Sequence, residues 1–330
     1  MTNRKTFIGL LGIVVLQDLM AQDDLFHVTT DFVYLQRHSA DNTTIAVDTE
    51  QVDCVDGCFS NNVLDINDLT PGYTPGLKFS LGCSPVDRST YEVDFLYLWE
   101  MEGSETKHPK GILSAPFRPS FVSDYIEVDS LYAQYQSQFY TGELNYLYRF
   151  STGKYSYFGL SGLFGLRFTN LSERFLLEVE KAHNVSDYRI KANNDLLGIQ
   201  LGFDFHIRPN RYFDTNLVVK GGADLNRIAT KIQLNDLDHS VTLRNYNKQE
   251  TQTGVFAEID IGLHYLPLSW LSIHMGYEML YFGGLALAPD QITFSSDEIK
   301  DTLIEGAPRR VFDDGYIILY GIFAGVSFTF

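Results

Sequence analysis

Gly315 to Phe330 reads GYIILYGIFAGVSFTF. Tyr320, Ile322, Ala324, Val326, Phe328 and Phe330 are apolar; Gly321, Phe323, Gly325, Ser327 and Thr329 between them are mostly small or weakly polar. A period of two belongs to a strand whose faces meet different media. At the end of a soluble sheet, so apolar a strand would be an uncovered edge. A barrel in a lipid bilayer removes that edge by pairing the last strand with the first.

The rest of the 330 residues agrees with this reading. Hydrophobic residues make up 45 % and the mean hydropathy is -0.10, a soluble-looking value. A transmembrane barrel gives such a value because only alternate residues face lipid. The 20 Tyr and 24 Phe are many, and Tyr favours the membrane–water boundary. A formal charge of -17 excludes nucleic acid as a partner. Asn3-Arg4-Lys5 followed by the apolar run Phe7 to Leu16 reads as a secretion signal, giving residues 1–21 as signal peptide and 22–330 as one barrel domain. The run is too short to span a membrane as a helix. Cys54 and Cys58 lie in DCVDGCFS and are the candidate disulfide of an exported protein, with Cys83 left over.

Alternating segments recur along the chain. Phe26 to Gln36 is the first, followed by Tyr73 to Cys83, Tyr91 to Glu100, Leu131 to Phe150 and Phe158 to Phe168. Leu197 to Ile207, Phe213 to Asn226, Val255 to Tyr265, Leu271 to Phe282 and the closing stretch complete the set. The spacing predicts an all-β, antiparallel, up-and-down transmembrane barrel of about 10 strands, with 12 still open. Short connections fall near Pro85, Gly153, Pro209 and Pro267; long ones follow Gln36, Met101, Lys181, Leu234 and Leu285. With the short turns periplasmic, both termini are expected in the periplasm.

Leu171-Ser172-Glu173-Arg174-Phe175, Asn194 to Gly202 (NDLLGIQLG), Lys220-Gly221-Gly222-Ala223, Gly276-Tyr277-Glu278 and Ala286 to Asp290 (ALAPD) look like a recurring pattern. Together they resemble a family of outer-membrane β-barrel proteins of planctomycete-type bacteria, distantly similar to the major outer-membrane proteins of Legionella and the chlamydiae. The resemblance runs from about Pro71 to the end. It implies an outer-membrane location and a barrel or pore, and it supplies no catalytic residues. The last strand also resembles the signal read by barrel-insertion machinery, with Tyr320, Ile322, Val326, Phe328 and Phe330 as its candidate residues.

Period two places Asp31, Glu92, Asp94, Glu143, Arg149, Arg167, Asp204, Asp214, Lys220, Asp224, Glu258, Asp260 and Glu278 on inner faces, as candidate lumen-lining residues. Acids outnumber bases, so an open lumen is expected to favour cations weakly. Glycines and charges fit a small porin-like channel; the same charges, paired, fit a plugged structural barrel, since narrow barrels fill with side chains. A surface adhesin or ligand-binding barrel acting through its long loops is the alternative. A hydrolase barrel ranks last: Asp236, Asp238 and His239 share one loop, but a solvated loop explains them equally well. His264 and His274 flank one turn without a third ligand at a recognised spacing. No enzyme, cofactor or metal is expected; the expected partners are the lipid bilayer, the insertion machinery, and small ions or solutes if the lumen is open.

Overall fold

The computed structural model describes residues 25–39, 43–49, 60–70, 72–86, 88–115, 125–150, 157–236, 241–292 and 311–330. The segment 1–21, Cys54, Cys58, Asp238 and His239 lie outside them. Ten strands form a closed antiparallel barrel: β1 (Phe26–Ser39), β4 (Thr74–Val86), β5 (Ser89–Lys107), β7 (Ser130–Arg149), β8 (Phe158–Lys181), β9 (Asn184–Asn210), β10 (Phe213–Asp236), β11 (Val241–Leu268), β12 (Leu271–Leu285) and β13 (Gly315–Thr329). Each pairs with its neighbours in sequence, and β13 pairs with β1 over the register Phe32↔Ala324 and Tyr34↔Ile322. Two further bonds close the seam, Phe330 N to Phe26 O at 2.8 Å and Phe26 N to Phe330 O at 3.1 Å. Gly315 to Phe330 thus closes the barrel.

Alternation decides which way each side chain points. Leu201, Met275 and Ile261 on the outer face are 67 %, 60 % and 50 % exposed. Such an apolar belt cannot stand in water as part of a monomer. On β9 the belt runs from Leu197 to Ile207; strands tilted by about 35–45° carry that length through roughly 25 Å, the height of an outer-membrane barrel's apolar band. Aromatic pairs flank it. Tyr91–Tyr146 and Phe213–Tyr265 stand at the end bearing the short turns, and Tyr34–Tyr73 and Tyr281–Tyr316 at the end bearing the long loops.

The strands are longer than the alternation of apolar residues suggests. β9 begins at Asn184 rather than near Leu197, and β11 at Val241 rather than Val255. With 27 and 28 residues, both far exceed the 9–11 or so that a bilayer requires. Above the belt their outer faces turn polar, so the apolar signal stops while the hydrogen-bond ladder continues. The loop expected from His183 to Asp187 shrinks to Ala182-His183, both at positive φ (52° and 71°), a two-residue hairpin turn without the usual glycine.

Two long connections also carry strands. β2 (Thr44–Thr49), β3 (Ser60–Asp65) and β6 (Ile112–Ser114) make a separate three-stranded sheet, order β3-β2-β6, at the loop end. It adds nothing to the barrel count, which is 10. Ile45, Leu64 and Leu113 of this sheet pack with Tyr135, Phe175, Ile190 and Ile232 of the wall in one buried apolar cluster.

Candidate functional site

From the loop end down, the interior changes character in three layers. The first is the cap cluster just described. The second spans the barrel with Leu35, Leu98, Phe139, Leu171, Leu196, Phe256, Phe282 and Leu319. Phe282 faces both Phe139 and Phe256, at ring separations of 5.5 and 6.0 Å. Into this region the chain folds residues 284–288. Asn194 holds Ala286 by both its N–H (2.9 Å) and its C=O (2.8 Å), and Asn226 Nδ2 donates to Gly284 O at 2.9 Å. Ala288 N donates to Glu173, which pairs with the buried Arg37 at 2.7 Å. Leu285, Ala286, Leu287 and Ala288 are all buried.

The third layer, at belt height, is ionic. Glu258 stands at its centre: Lys220 Nζ donates to it at 2.9 Å, Arg167 donates to its other oxygen, and Lys78 Nζ lies 4.0 Å away. Glu143 accepts from Arg167 at 2.5 Å, Lys220 at 3.0 Å, Gln200 at 2.7 Å and Asn145 at 2.9 Å. Lys78 also reaches Glu278 at 3.0 Å and Asp260 at 3.2 Å. Asp94 accepts from Asn145 at 2.9 Å and from Ser80. The Arg167 guanidinium lies 4.7 Å over the Phe256 ring, joining the ionic layer to the apolar one. Five carboxylates thus face three bases, and all except Lys78 are buried. One oxygen each of Glu258, Asp260 and Glu278 comes within 4.8 Å of the others, close enough to ligate a cation. The Lys78 ammonium occupies that neighbourhood.

Below the ionic layer the turn end is lined by histidines and acids. His274 Nε2 donates to Asp31 at 2.5 Å, across β13 where Gly325 has no side chain. A Cβ at Gly325 would stand 2.0 Å from the Asp31 carboxylate. His264 and His274 stack at 4.8 Å. His206 donates to Asp204 at 2.8 Å, Arg208 to Asp214 at 3.0 Å, and His27 to Glu92 at 3.1 Å.

The thirteen residues proposed from sequence therefore divide. Asp94, Glu143, Arg167, Lys220, Glu258, Asp260 and Glu278 meet in the ionic layer, while Asp31, Glu92, Asp204 and Asp214 lie at the turn end. Asp224 is buried beside Gly254, apart from both groups, and Arg149 is exposed at the rim. Counting charges passed over Asn145 and Gln200, neutral amides that bind the carboxylates together; their inward parity on strands already placed was the available signal. Tyr320, Ile322, Val326, Phe328 and Phe330 all point outward from β13. Cys83 is free. Asp236 ends β10, with the rest of its candidate group outside the described residues.

A belt of this height around a closed antiparallel barrel with a polar layer inside decides the fold. This is the fold of an outer-membrane β-barrel. One solved structure shares it by a TM-score above one half: the outer membrane protease OmpT from Escherichia coli matches at 0.52 and 9 % identity, over 94 % of this chain and 98 % of that one. The translocator domain of the autotransporter NalP from Neisseria meningitidis matches at 0.38 and 8 % identity, over 99 % and 96 % of the two chains. A Pseudomonas aeruginosa FadL homologue gives 0.27 and 11 %, over 93 % and 90 %. No family model and no curated protein matches the chain. The resemblance read from sequence holds at the level of the outer-membrane barrel; the planctomycete-type and chlamydial family finds no such support.

Proposed function

We propose that this protein resides in an outer membrane as a closed barrel, a structural component of the wall that displays its loop end to the outside. Short turns at one end and long connections at the other support an orientation with the turns and both termini in the periplasm. The outward residues Tyr320 to Phe330 of β13 fit a strand read by the insertion machinery, and residues 1–21 fit an export signal.

One observation carries the closed state: the cross-section is filled. At belt height Glu258, Glu278 and Arg167 are 1–2 % exposed, and the residual cavity between Lys78, Asp94, Glu143, Glu258 and Glu278 is about 10 Å³. That is room for about one water, far from a conducting path. Phe139, Phe256 and Phe282 cover it from above. Ten strands sit near the width at which side chains fill a barrel. A second reading, a weakly cation-selective channel, draws on the excess of carboxylates over bases in that layer: any rearrangement that parted it would expose a negative lining. We propose no catalytic group among the described residues; the protease activity named for OmpT belongs to that protein.

Planar-bilayer recording tests the closed state. The refolded chain, shown to be folded by its heat-modifiable gel mobility, is expected to give no steady conductance. A steady, cation-favouring conductance would replace the closed wall protein with the channel.

A further inference from the structure

Above the belt, the outer faces of the tall strands are mostly neutral. Gln134, Gln136 and Gln138 point out from β7, and Asn245, Asn247, Gln249 and Thr251 from β11. Three adjacent strands between them differ. Arg174 of β8 stands directly opposite Lys191 of β9, and Lys191 directly opposite Lys231 of β10. All three are outward and exposed, and none pairs with a carboxylate among the described residues. Gln136 and Asn247 flank this row on the neighbouring strands. Like charges in directly opposed positions destabilise a sheet. Here two such pairs share one lysine, on a chain with 42 acids and only 25 bases. Arg227 adds a fourth cation nearer the belt, and Arg189 a fifth, the latter paired with Asp187 at 2.5 Å.

Height identifies what would neutralise the row. Arg174 lies six positions beyond Phe168, the last large apolar residue of the belt on β8, which puts it roughly 15 Å above the hydrocarbon. Phospholipid headgroups extend only about 5–8 Å from that boundary. The anion must sit on a thicker headgroup. We propose that Arg174, Lys191 and Lys231 form a binding site for the phosphorylated saccharide of an outer-leaflet glycolipid of the lipopolysaccharide class. Its acyl chains lie on Phe168, Leu197 and Leu225, which neighbour one another in register across the same three strands. The site rests on the reading that the loop end faces outside.

Native mass spectrometry of the folded barrel in detergent, titrated with lipopolysaccharide, tests it. The wild type is expected to retain lipopolysaccharide, and to prefer it over both its dephosphorylated form and phosphatidylglycerol. The triple variant R174Q/K191Q/K231Q should weaken binding on the order of 100-fold, at about fivefold per cation. Arg211→Gln, an exposed cation at the opposite end, should change nothing. Without lipid, the triple variant should be at least as resistant to urea as the wild type, because the opposed charges are gone. Unchanged lipopolysaccharide binding by the triple variant overturns the site, as does equal binding of phosphatidylglycerol. A folded barrel that ignores phosphate refutes this site alone; failure to insert into vesicles would instead refute the membrane reading.

Discussion

The same four strands, β8 to β11, run through two regions of opposite polarity. Below a boundary drawn by Phe168, Leu197, Leu225 and Val255 they are apolar outside and polar inside; above it, from Asn170, Asp195, Arg227 and Thr253, they are polar outside, and on β8 to β10 largely apolar inside. Register is unbroken across the boundary, since Asn170, Asp195 and Arg227 follow Phe168, Leu197 and Leu225 in the same ladders. The pleat does not change; the medium does. Lipid outside leaves the interior as the place for charge, and water outside returns the interior to apolar packing against the cap sheet.

The largest expected effect tests the lower interior. Glu258 alone faces Lys78, Arg167 and Lys220 together. Glu258→Gln leaves these cations short of one charge, and breaking such a largely buried network costs about 3–5 kcal/mol. Urea titration of the barrel in lipid vesicles reads it. A loss below about 1 kcal/mol would mean that the remaining carboxylates already balance the bases.

Next come the two outer faces of one strand. Ile261 and Gln249 both point outward from β11, below and above the boundary. Ile261→Arg should destabilise by about 2–4 kcal/mol, as a charge on the lipid face does. Gln249→Glu, which keeps an oxygen for Arg227 to donate to, should stay within about 0.5 kcal/mol, as ordinary surface changes do. Equal costs would erase the boundary.

The upper interior gives a smaller effect. Asn194→Ala removes both bonds to Ala286 and leaves its buried N–H and C=O unpaired, for a loss of about 1–3 kcal/mol. Hydrogen exchange at Ala286 is expected to rise with it. Unaltered exchange would show that residues 284–288 are held by apolar packing alone.

What the sequence disclosed follows from the same contrast. Where lipid bathes the outer face, alternation is strong, and ten strands, their faces and the closing role of β13 could be read from it. Above the boundary the outer residues of β9 are Asn193, Lys191 and Arg189, which look like loop. Nothing local marks them as strand; their pairing to Ser172, Arg174 and Leu176 does. The inner acids were legible as inward, but not as bonded to one another, because Glu143 and Glu258 lie on strands that are not adjacent. Hairpin register sets Arg167 opposite Glu143 and Lys220 opposite Glu258, but only closure of the barrel brings Glu143 to Lys220 and Glu258 to Arg167, and no spacing along the chain encodes that.

The smallest expected effect concerns the balance of charge in the ionic layer. Asp94 differs from Glu258 in its partners. It accepts from Asn145 and Ser80, both neutral, and forms no ion pair with Lys78, Arg167 or Lys220. Its like-sign neighbours are Glu92, two residues away on the same inner face, and Glu143, through the shared Asn145 amide. Asp94→Asn keeps the shape and an accepting oxygen while removing one negative charge from a layer where acids outnumber bases five to three. The lost hydrogen-bond strength and the relieved repulsion oppose each other, so vesicle stability should stay within about 0.5 kcal/mol of the wild type. A loss above about 2 kcal/mol would show that the Asp94 charge is balanced by a bound cation. Repeating the titration with sodium replaced by a bulky organic cation would then separate the two: a wild-type barrel that needs the small ion loses stability in the exchange, and one that does not is unaffected.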